Sequence, residues 1–578
     1  MHAQDTSAGG TAGRARWTAV CLAGGAALLA EGFVAGRFHV GTDGGVASVR
    51  FGLLAAGSVL VLCGLAMVGR GWVPRPSRRG LVRLARSSCP LLLAFALYLG
   101  AFVVMKPLAI GDQPQYELES LTLAYDQDRN LARSYTNPAF TNIAFGGPVP
   151  TFWIDAFPYT NRHKLIFVEN VGLPLLLSAG VPWVKLVESQ APADTRWPWS
   201  IEIIVLASIA AQLLYRLLRR FRPKERGLTI AVWACTAFCA PLTIYASQIY
   251  PEIPELLLAL IAADCLTRKP TVASGVIGAS AAAAMPWLHV RFFLVSALLV
   301  LALTVRAVAH DRSLGRPTSS HVKAALPILA PFIASSAVMA IAFQAWYGSP
   351  WITAPFRLPQ TRQPQTLLGA YWSITDLFLN PRTAALPFAP VGVLALGAVP
   401  LFCRRYGRWA LFALLVAAVY VLTVTIEGSN IGDSAPGRYM IWLIPFGAFP
   451  LLFLLTEYRI ARWAFDLLAA LTAWITIALV IQPPPGVTGS ITFSLLWGWT
   501  VNFWPTIVHQ GLHDVPTVLA WTGGLLILAA WIYLAGVRRE RSVNSGNATR
   551  THPQRHATGQ GAYPATTAAP RTSSRGIR

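Results

Sequence analysis

The sequence predicts an all-α, polytopic integral membrane protein with about fourteen transmembrane helices. The chain of 578 residues is 54% hydrophobic, but only 12% of it is charged, whereas a soluble domain carries about 25% charged residues. Apolar runs of about 17–25 residues, the length that spans a bilayer, recur along most of the chain. Because lipid cannot satisfy backbone polar groups, these runs are expected to be helical.

The first 87 residues are predicted to form a membrane anchor followed by a basic loop. Residues 1–16 are polar and contain Arg14 and Arg16, which predicts a cytoplasmic N-terminal tail. Residues 17–87 then hold two accessory helices, at 17–36 and 51–69, and a basic cytoplasmic loop. The first run also has features of a signal peptide, but the second helix follows closely and favours a retained helix.

The transmembrane core is predicted over residues 88–537, and its third helix, at 88–110, leads to a long polar segment. This segment, 111–199, is predicted to be a large outer loop, and 347–386 is a second one. Within the first loop, residues 171–184 are apolar but contain two prolines, Pro174 and Pro182. The run is therefore short and interrupted, which predicts a re-entrant or interfacial helix.

The fourth helix is predicted at 201–217, and an arginine-rich loop follows it. The remaining predicted helices are 227–246, 253–267, 271–286, 292–308, 323–346, 387–402, 409–426, 439–456, 463–482 and 517–537. Residues 538–578 are rich in Ser, Thr, Gly, Ala, Pro and Arg, without an apolar face, which predicts a disordered basic cytoplasmic tail.

Charge sets the orientation of this arrangement. Most of the 47 Lys and Arg residues fall in loops on one side, and basic loops stay in the cytoplasm. Both termini are therefore predicted to be cytoplasmic, in a multi-pass protein of the cytoplasmic (inner) membrane in contact with lipid. The net charge of +22 is explained in the same way, and no basic folded domain remains that would bind nucleic acid.

Polar residues gather in the turns predicted on the outer side. These are the segments 111–116, 250–255, 286–291, 347–350 and 435–439, together with Asp126, Asp128, His163 and Arg382. Each has an ordinary explanation, because outer carboxylates can be solvated, arginines can reach lipid headgroups, histidines can be structural and prolines can end helices. Their gathering at one membrane face nevertheless indicates a substrate path.

These residue types suit the transfer of a sugar from a lipid phosphate. A carboxylate can accept the proton of the acceptor hydroxyl, and cations can stabilise the departing phosphate. Arginine suits phosphate because its planar fork binds two oxygens. The lipid tail would also need a groove that opens to the membrane.

Residues 88–456 resemble the C-type (GT-C) glycosyltransferase superfamily. Members of a bacterial family of multi-pass proteins in it typically carry Gly-Asp-Glu-Pro-His-Tyr after the first core helix, and Gly111, Asp112, Pro114 and Tyr116 match that motif. The other blocks that look like this family are 250–252, 286–291, 386–390 and 436–439. No block is specific alone, but the five occur in order.

The resemblance implies transfer of a sugar from a polyprenyl-phosphate donor to an acceptor on the outer membrane face, with Asp112 as the catalytic carboxylate. The acceptor would be a glycan or protein of the cell envelope. The predicted substrate-binding residues, all on the same face, are Tyr116, Glu252, Glu255, His289, Arg291 and Arg438. From chemistry alone, the two arginines are expected to hold the phosphate.

Gln113 and Gln115 depart from the family motif, which has Glu and His at these positions. An amide cannot act as a carboxylate base and is a poorer ligand for a divalent cation. A non-catalytic GT-C-like relative is therefore an alternative. No cofactor or metal is predicted, since His509 and His513 have the spacing of ligands on a helix but lack the Glu that follows the first His in metalloproteases.

A flippase for lipid-linked glycans, or another transporter, is the main alternative from a different class. It would place its essential charges near the bilayer midplane. The candidates for such charges are Glu31, Lys106, Asp264 and Asp466, of which Lys106 and Asp264 could pair. A polymerase or ligase of surface polysaccharide and a purely structural membrane partner are further alternatives.

Overall fold

The computed structural model describes residues 78–105, 111–149, 158–161, 164–167, 170–188, 196–352, 373–375, 377–379, 384–426, 437–481, 523–535 and 538. This part of the chain is mostly helical, as the sequence predicts. Several predictions lie outside the described residues. They are the N-terminal tail, the first two helices, nearly all of the C-terminal tail, and Glu31, Lys106, His163, Arg382, His509 and His513.

The helices are numbered here in chain order. The first six are α1 (Arg78–Met105), α2 (Gln113–Asp126), α3 (Pro138–Phe145), α4 (Gly172–Ser178), α5 (Val181–Glu188) and α6 (Trp197–Phe221). The middle of the chain forms α7 (Arg226–Phe238), α8 (Leu242–Tyr245), α9 (Glu252–Thr267), α10 (Val272–Leu288), α11 (Phe293–Ser313) and α12 (Thr318–Tyr347). The last five are α13 (Gly392–Tyr406), α14 (Arg408–Ile426), α15 (Ile444–Glu457), α16 (Arg459–Ile481) and α17 (Gly523–Ala535). Each predicted span from the third onward overlaps at least one of these helices.

Seven of the described helices are long and apolar enough to cross a membrane. They are Ser88–Met105, Trp197–Phe221, Val290–Ser313, Thr318–Tyr347, Arg408–Ile426, Arg438–Glu457 and Arg459–Val480. On α16, Ile460, Trp463 and Leu467 are 71%, 80% and 71% exposed. Large apolar side chains in such exposed rows require an apolar surrounding. Both findings indicate an integral membrane protein, and the total of about fourteen spans stays a prediction.

Contacts between helix ends collect at two ends of a bundle. At one end, Arg220 at the end of α6 pairs with Asp264 near the end of α9. Arg222 likewise pairs with Glu457 at the end of α15, at 3.0 Å. Because arginines of several helices meet here, we call this the arginine end. Asp264 lies here, paired also with Arg268, and not near the midplane where the transporter alternative would need a charge.

The opposite end, called the site end, gathers the turns that the sequence predicts on one face. Asp112 stands before α2, Glu252 begins α9, Arg291 precedes α11 and Arg438 precedes α15. Contacts among these four residues join the helices there. The predicted sidedness of these turns thus agrees with the fold, whereas the compartment that each end faces stays a prediction.

The described parts of segment 111–199 are folded and packed, not a loop exposed to water. They form α2 to α5, a short 3-10 helix, and an antiparallel hairpin of β1 (Pro158–Asn161) and β2 (Lys164–Phe167), which the sequence did not predict. Residues 113–122 of α2 are all buried. Some of their polar groups are paired internally, as where the Thr122 hydroxyl bonds the Ser134 hydroxyl at 2.7 Å. The segment that joins α1 to α6 is thus a folded layer, and its position on the outer side stays a prediction.

The predicted re-entrant or interfacial run forms two short helices, α4 and α5. Leu173, Leu177, Val181 and Val184 are buried at a spacing of three to four residues, which is the pattern of a helix with one apolar face. Gly172 begins α4 directly against the end of α10, because a Cβ there would collide with the Trp287 carbonyl oxygen. This contact ties the outer segment to the site end.

We expect Gly278→Val to destabilise the bundle by about 1–3 kcal/mol through overpacking. Gly278 lies in the middle of α10, where a Cβ would stand 2.9 Å from the Cys265 Cβ and 3.0 Å from Leu303 Cδ1. Gly100→Ala on α1 is the control, because a Cβ there meets nothing within 4 Å. Thermal unfolding in detergent checks this, and equal unfolding temperatures for both variants would contradict it.

Candidate functional site

Asp112 sits in a turn whose local sequence determines its shape. Gly111 has a φ of +57°, a conformation that glycine adopts without steric cost. Pro114 occupies the first turn of α2, where its missing N–H is not needed. The Asp112 carbonyl accepts hydrogen bonds from the amides of Gln115 and Tyr116. Its side chain makes no capping hydrogen bond, so the carboxylate remains available to contact another element.

That element is the segment of Arg438. Arg438 Nη1 donates to Asp112 Oδ2 at 3.2 Å, and Nε donates to Glu252 Oε1 at 2.8 Å. Its guanidinium lies 4.0 Å from the centre of the Tyr250 ring, in the range of a cation–π interaction. Burial raises the pKa of the Tyr250 phenol well above its ordinary value, although Arg438 lowers it.

Glu252 connects the two arginines. Its Oε1 also accepts a hydrogen bond from Arg291 Nη2 at 3.1 Å, and this nitrogen lies 3.7 Å from Glu255 Oε2. Both glutamates are fully buried in the first turn of α9. We call Asp112, Glu252, Glu255, Arg291 and Arg438 the charged cluster. Its acidic groups and cations come from four segments that are far apart in the sequence.

Accessibility differs within the charged cluster. The side chain of Asp112 is 21% exposed, whereas those of Arg438 and Arg291 are 8% and 2% exposed. Arg291 is enclosed by the two glutamates and lies 5.0 Å from the Tyr439 ring centre. Asp112 is thus the most accessible member of the cluster, and Arg438 contacts it.

His289 and Tyr116 lie beside the charged cluster in supporting positions. His289 follows α10, is buried, and accepts a hydrogen bond from the Arg291 amide at its Nδ1, at 3.3 Å. Tyr116 is fully buried in α2, with its ring edge-on to Phe167 at 5.5 Å. These contacts give His289 a role in the backbone turn before Arg291, and Tyr116 a role in packing α2.

The two amides that depart from the family motif are also buried in α2. Gln115 is fully buried, and its Oε1 accepts a hydrogen bond from the Tyr135 hydroxyl at 2.8 Å. Gln113 is 4% exposed. Gln115 therefore has a structural partner in this protein, and the contact between Asp112 and Arg438 forms without a carboxylate at position 113.

Sequence reasoning assigned no role to three features of this region. Tyr250 contacts Arg438, and Tyr439 contacts both Arg291 and Arg438. Both tyrosines are close in sequence to predicted site residues, which was the only signal for them. Gly437 has a φ of +77°, and a Cβ there would approach Pro241 Cβ to 2.7 Å, so it positions Arg438. A second buried ion pair joins Arg129 to Glu119, and no pattern in the sequence identified it.

A large apolar cavity lies beside the chain segment that carries Arg438. Its volume is about 630 Å³, and its lining includes Pro241, Ala385, Leu386, Met440, Leu443 and Gly447. Pro241 and Ala385 are the residues against which Gly437 packs, so the cavity begins one residue from Arg438. The cavity could accommodate part of an apolar chain next to a charged group.

The candidate site contains no evident metal cluster in the residues that the structure describes. Among them, no group of three or more His, Cys, Asp or Glu side chains could hold a metal ion. That no metal is needed stays a prediction, since residues 509 and 513 are among those not described.

We expect stability to fall as pH rises from about 4.5 to 8, because of Glu117. This residue is on α2, outside the seven candidate spans. Burial raises its pKa from 4.5 to about 8, and Arg196, at 3.3 Å, lowers it only in part. Between these pH values the folded chain holds a proton that the unfolded chain has released, so the free energy of unfolding falls as pH rises.

The thermal unfolding temperature of Glu117→Gln should accordingly depend less on pH than that of the wild type, since an amide cannot ionise. Glu225→Gln, at an exposed carboxylate, is the control and should keep the wild-type dependence. Parallel pH profiles for the wild type and Glu117→Gln would contradict the assignment.

Comparison of the chain with protein-family models, with curated proteins and with solved structures finds no match. The integral membrane class therefore rests on the fold, and any finer function rests on the geometry of the site.

Proposed function

We propose that this protein is a membrane glycosyltransferase that moves a sugar from a polyprenyl-phosphate donor to an acceptor on the outer face of the cytoplasmic membrane. One observation carries the proposal. Asp112, the most accessible carboxylate of the charged cluster, is held by Arg438, and residues next to Arg438 in the chain contact the lining of an apolar cavity of about 630 Å³. A carboxylate, a cation and an apolar cavity are the three features that this reaction requires.

The apolar cavity would hold part of the polyprenyl chain. Its lining is made almost wholly of aliphatic and aromatic side chains from α13, α14 and α15 and from the end of α7. An isoprenoid chain has no hydrogen-bonding groups, so burying it there is favourable and leaves no polar group unpaired. Since the cavity begins next to Arg438, the phosphate at the head of the chain would stand near the guanidinium.

The reaction would then follow from the positions of two side chains. Asp112 accepts the proton of an acceptor hydroxyl while that oxygen attacks the anomeric carbon of the sugar. The bond between the anomeric carbon and the phosphate oxygen breaks, and its electron pair leaves with the polyprenyl phosphate. Arg438 stabilises the charge that develops on this phosphate, whereas Arg291 positions Glu252 and thereby Arg438.

The orientation proposed for this reaction follows from charge. Arginines of several helices gather at the arginine end, and basic groups near helix ends favour the cytoplasm. The site end would then face outward, where the acceptor, a glycan or protein of the cell envelope, is available.

The non-catalytic alternative rests on Gln113 and Gln115, the two amides that depart from the family motif. The bond between Gln115 and Tyr135 gives that amide a packing role that does not involve Asp112. The transporter alternative has less support, because Asp264, one of its midplane candidates, is paired at the arginine end. The transferase is therefore the function that we propose.

Transfer of labelled sugar in isolated membranes tests this function. Membranes with the wild-type protein should transfer label from a polyprenyl-phosphate-linked sugar to an endogenous or added glycan acceptor. One control uses membranes without the protein. The other offers a nucleotide-linked sugar while the glycosylation of lipid phosphate is blocked. If no polyprenyl-phosphate sugar serves as a donor, the proposal fails and a non-catalytic or transport role is favoured.

A further inference from the structure

The arginine end contains a second cavity that the proposed reaction does not use. Its volume is about 340 Å³, and it lies between the turn that joins α9 to α10 and the facing parts of α11 and α12. Its polar lining is formed by Lys269, Thr271, His310, Asp311 and Arg316. It thus combines basic side chains from the α9–α10 turn and from the end of α11.

Positive charge exceeds negative charge around this cavity. Arg220 and Arg268 share a single carboxylate, that of Asp264, and Arg316 pairs with Asp311 at 2.9 Å.

Two further cations are close by. Arg306 donates to the backbone carbonyl oxygens of Cys265 and Arg268, and Lys269 lines the cavity itself. Within the described residues, neither Lys269 nor Arg306 pairs with a carboxylate. The surroundings of the cavity therefore favour an anion.

Apolar side chains border the same cavity. Val272 and Leu314 belong to its lining and are 43% and 54% exposed. The helices that form it also expose Ile277, Leu301 and Val305, each more than half accessible. A ligand that fits this setting carries an anionic group at the level of the helix ends and apolar chains along the helices.

We propose that this cavity binds the phosphate headgroup of an anionic phospholipid, whose acyl chains lie against α10 and α11. Clustered basic residues near a membrane surface attract anionic lipid, each contributing about 1 kcal/mol. The occupant is a lipid and not a soluble phosphate because the cavity lies at the ends of candidate membrane spans and is bordered by exposed apolar side chains. The proposal does not depend on the transferase function.

Thermal unfolding of the purified full-length protein in a non-ionic detergent tests this inference. The probes are phosphatidylglycerol, phosphatidylcholine with the same acyl chains, and inorganic phosphate. Phosphatidylglycerol should raise the unfolding temperature by about 2–4 °C, and the other two probes should raise it much less.

The double variant Lys269→Gln/Arg306→Gln should lose most of this shift. Arg312→Gln is the matched control, because Arg312 is an exposed arginine on the same helix that does not line the cavity, and it should keep the shift. The site is ruled out if the shift is absent in the wild type, or if all three proteins respond equally to phosphatidylglycerol. An equal shift with inorganic phosphate would rule out a lipid as the occupant.

Discussion

Asp112→Asn should lower sugar transfer by about 10²-fold or more, which is the contribution typical of a positioned general base. The amide keeps the shape of the side chain, and its oxygen can still accept the hydrogen bond from Arg438 that Asp112 accepts at 3.2 Å. The fold should therefore be retained while the capacity to take a proton is lost. Transfer from a labelled polyprenyl-phosphate sugar measures the effect.

Asp126→Asn is the matched control for this substitution. Asp126 ends the same helix that Asp112 precedes, and its side chain is exposed, so its substitution should leave transfer unchanged. Equal thermal unfolding temperatures for the two variants would exclude a folding defect as the cause of lost transfer. If Asp112→Asn transfers sugar at the wild-type rate, Asp112 is not the base, although the protein could still be a transferase through another group.

The helices and their alternation were predictable because they depend on local properties. A bilayer requires about 20 apolar residues per helix, and this signal is present within each segment. The helix ends were predictable to within a few residues where prolines or glycines mark them. The start of α13 is an exception, because it lies at Gly392, after Pro387 and Pro390, and not at the predicted residue 387.

The contacts within the charged cluster were not predictable in the same way. Asp112 and Arg438 are 326 positions apart, and sidedness restricts them to one face without bringing them into contact. The sequence also could not distinguish an arginine that reaches lipid headgroups from one that is buried. Arg291 is buried because Glu252 and Glu255 lie one turn apart on α9 and both face it, a match that only the packing of α9 against α11 reveals.

In the segment after α1, the burial of polar residues could not be predicted from composition. It is rich in polar residues and was predicted only as an outer loop, yet Glu117, Glu119 and Gln115 are fully buried. Polar side chains can be buried when partners satisfy them, as Arg129 does for Glu119. Composition records the number of polar groups but not their pairing, so it cannot separate a solvated loop from a packed polar layer. This layer supports the turn that carries Asp112.

Glu252→Gln should lower the free energy of unfolding by about 3–5 kcal/mol, the cost of removing one partner from a buried ion pair. Glu252 is fully buried and its Oε1 accepts from both Arg291 and Arg438, so the neutral amide leaves two buried guanidinium groups without their shared charge. Glu225→Gln, at an exposed carboxylate, should change stability by less than about 0.5 kcal/mol. Unfolding in detergent, followed by denaturant titration, measures both.

A double variant separates loss of charge balance from loss of packing. Arg438→Met removes one of the two guanidinium groups while Arg291 keeps Glu255, 3.7 Å away, and Asp112 keeps partial access to water. Glu252→Gln/Arg438→Met should therefore lose less stability than the two single variants together, by about 0.5–3 kcal/mol. Strict additivity would mean that Glu252 stabilises the protein through shape alone. Coupling of this size would instead show that its charge holds Arg438 in the position from which it contacts Asp112.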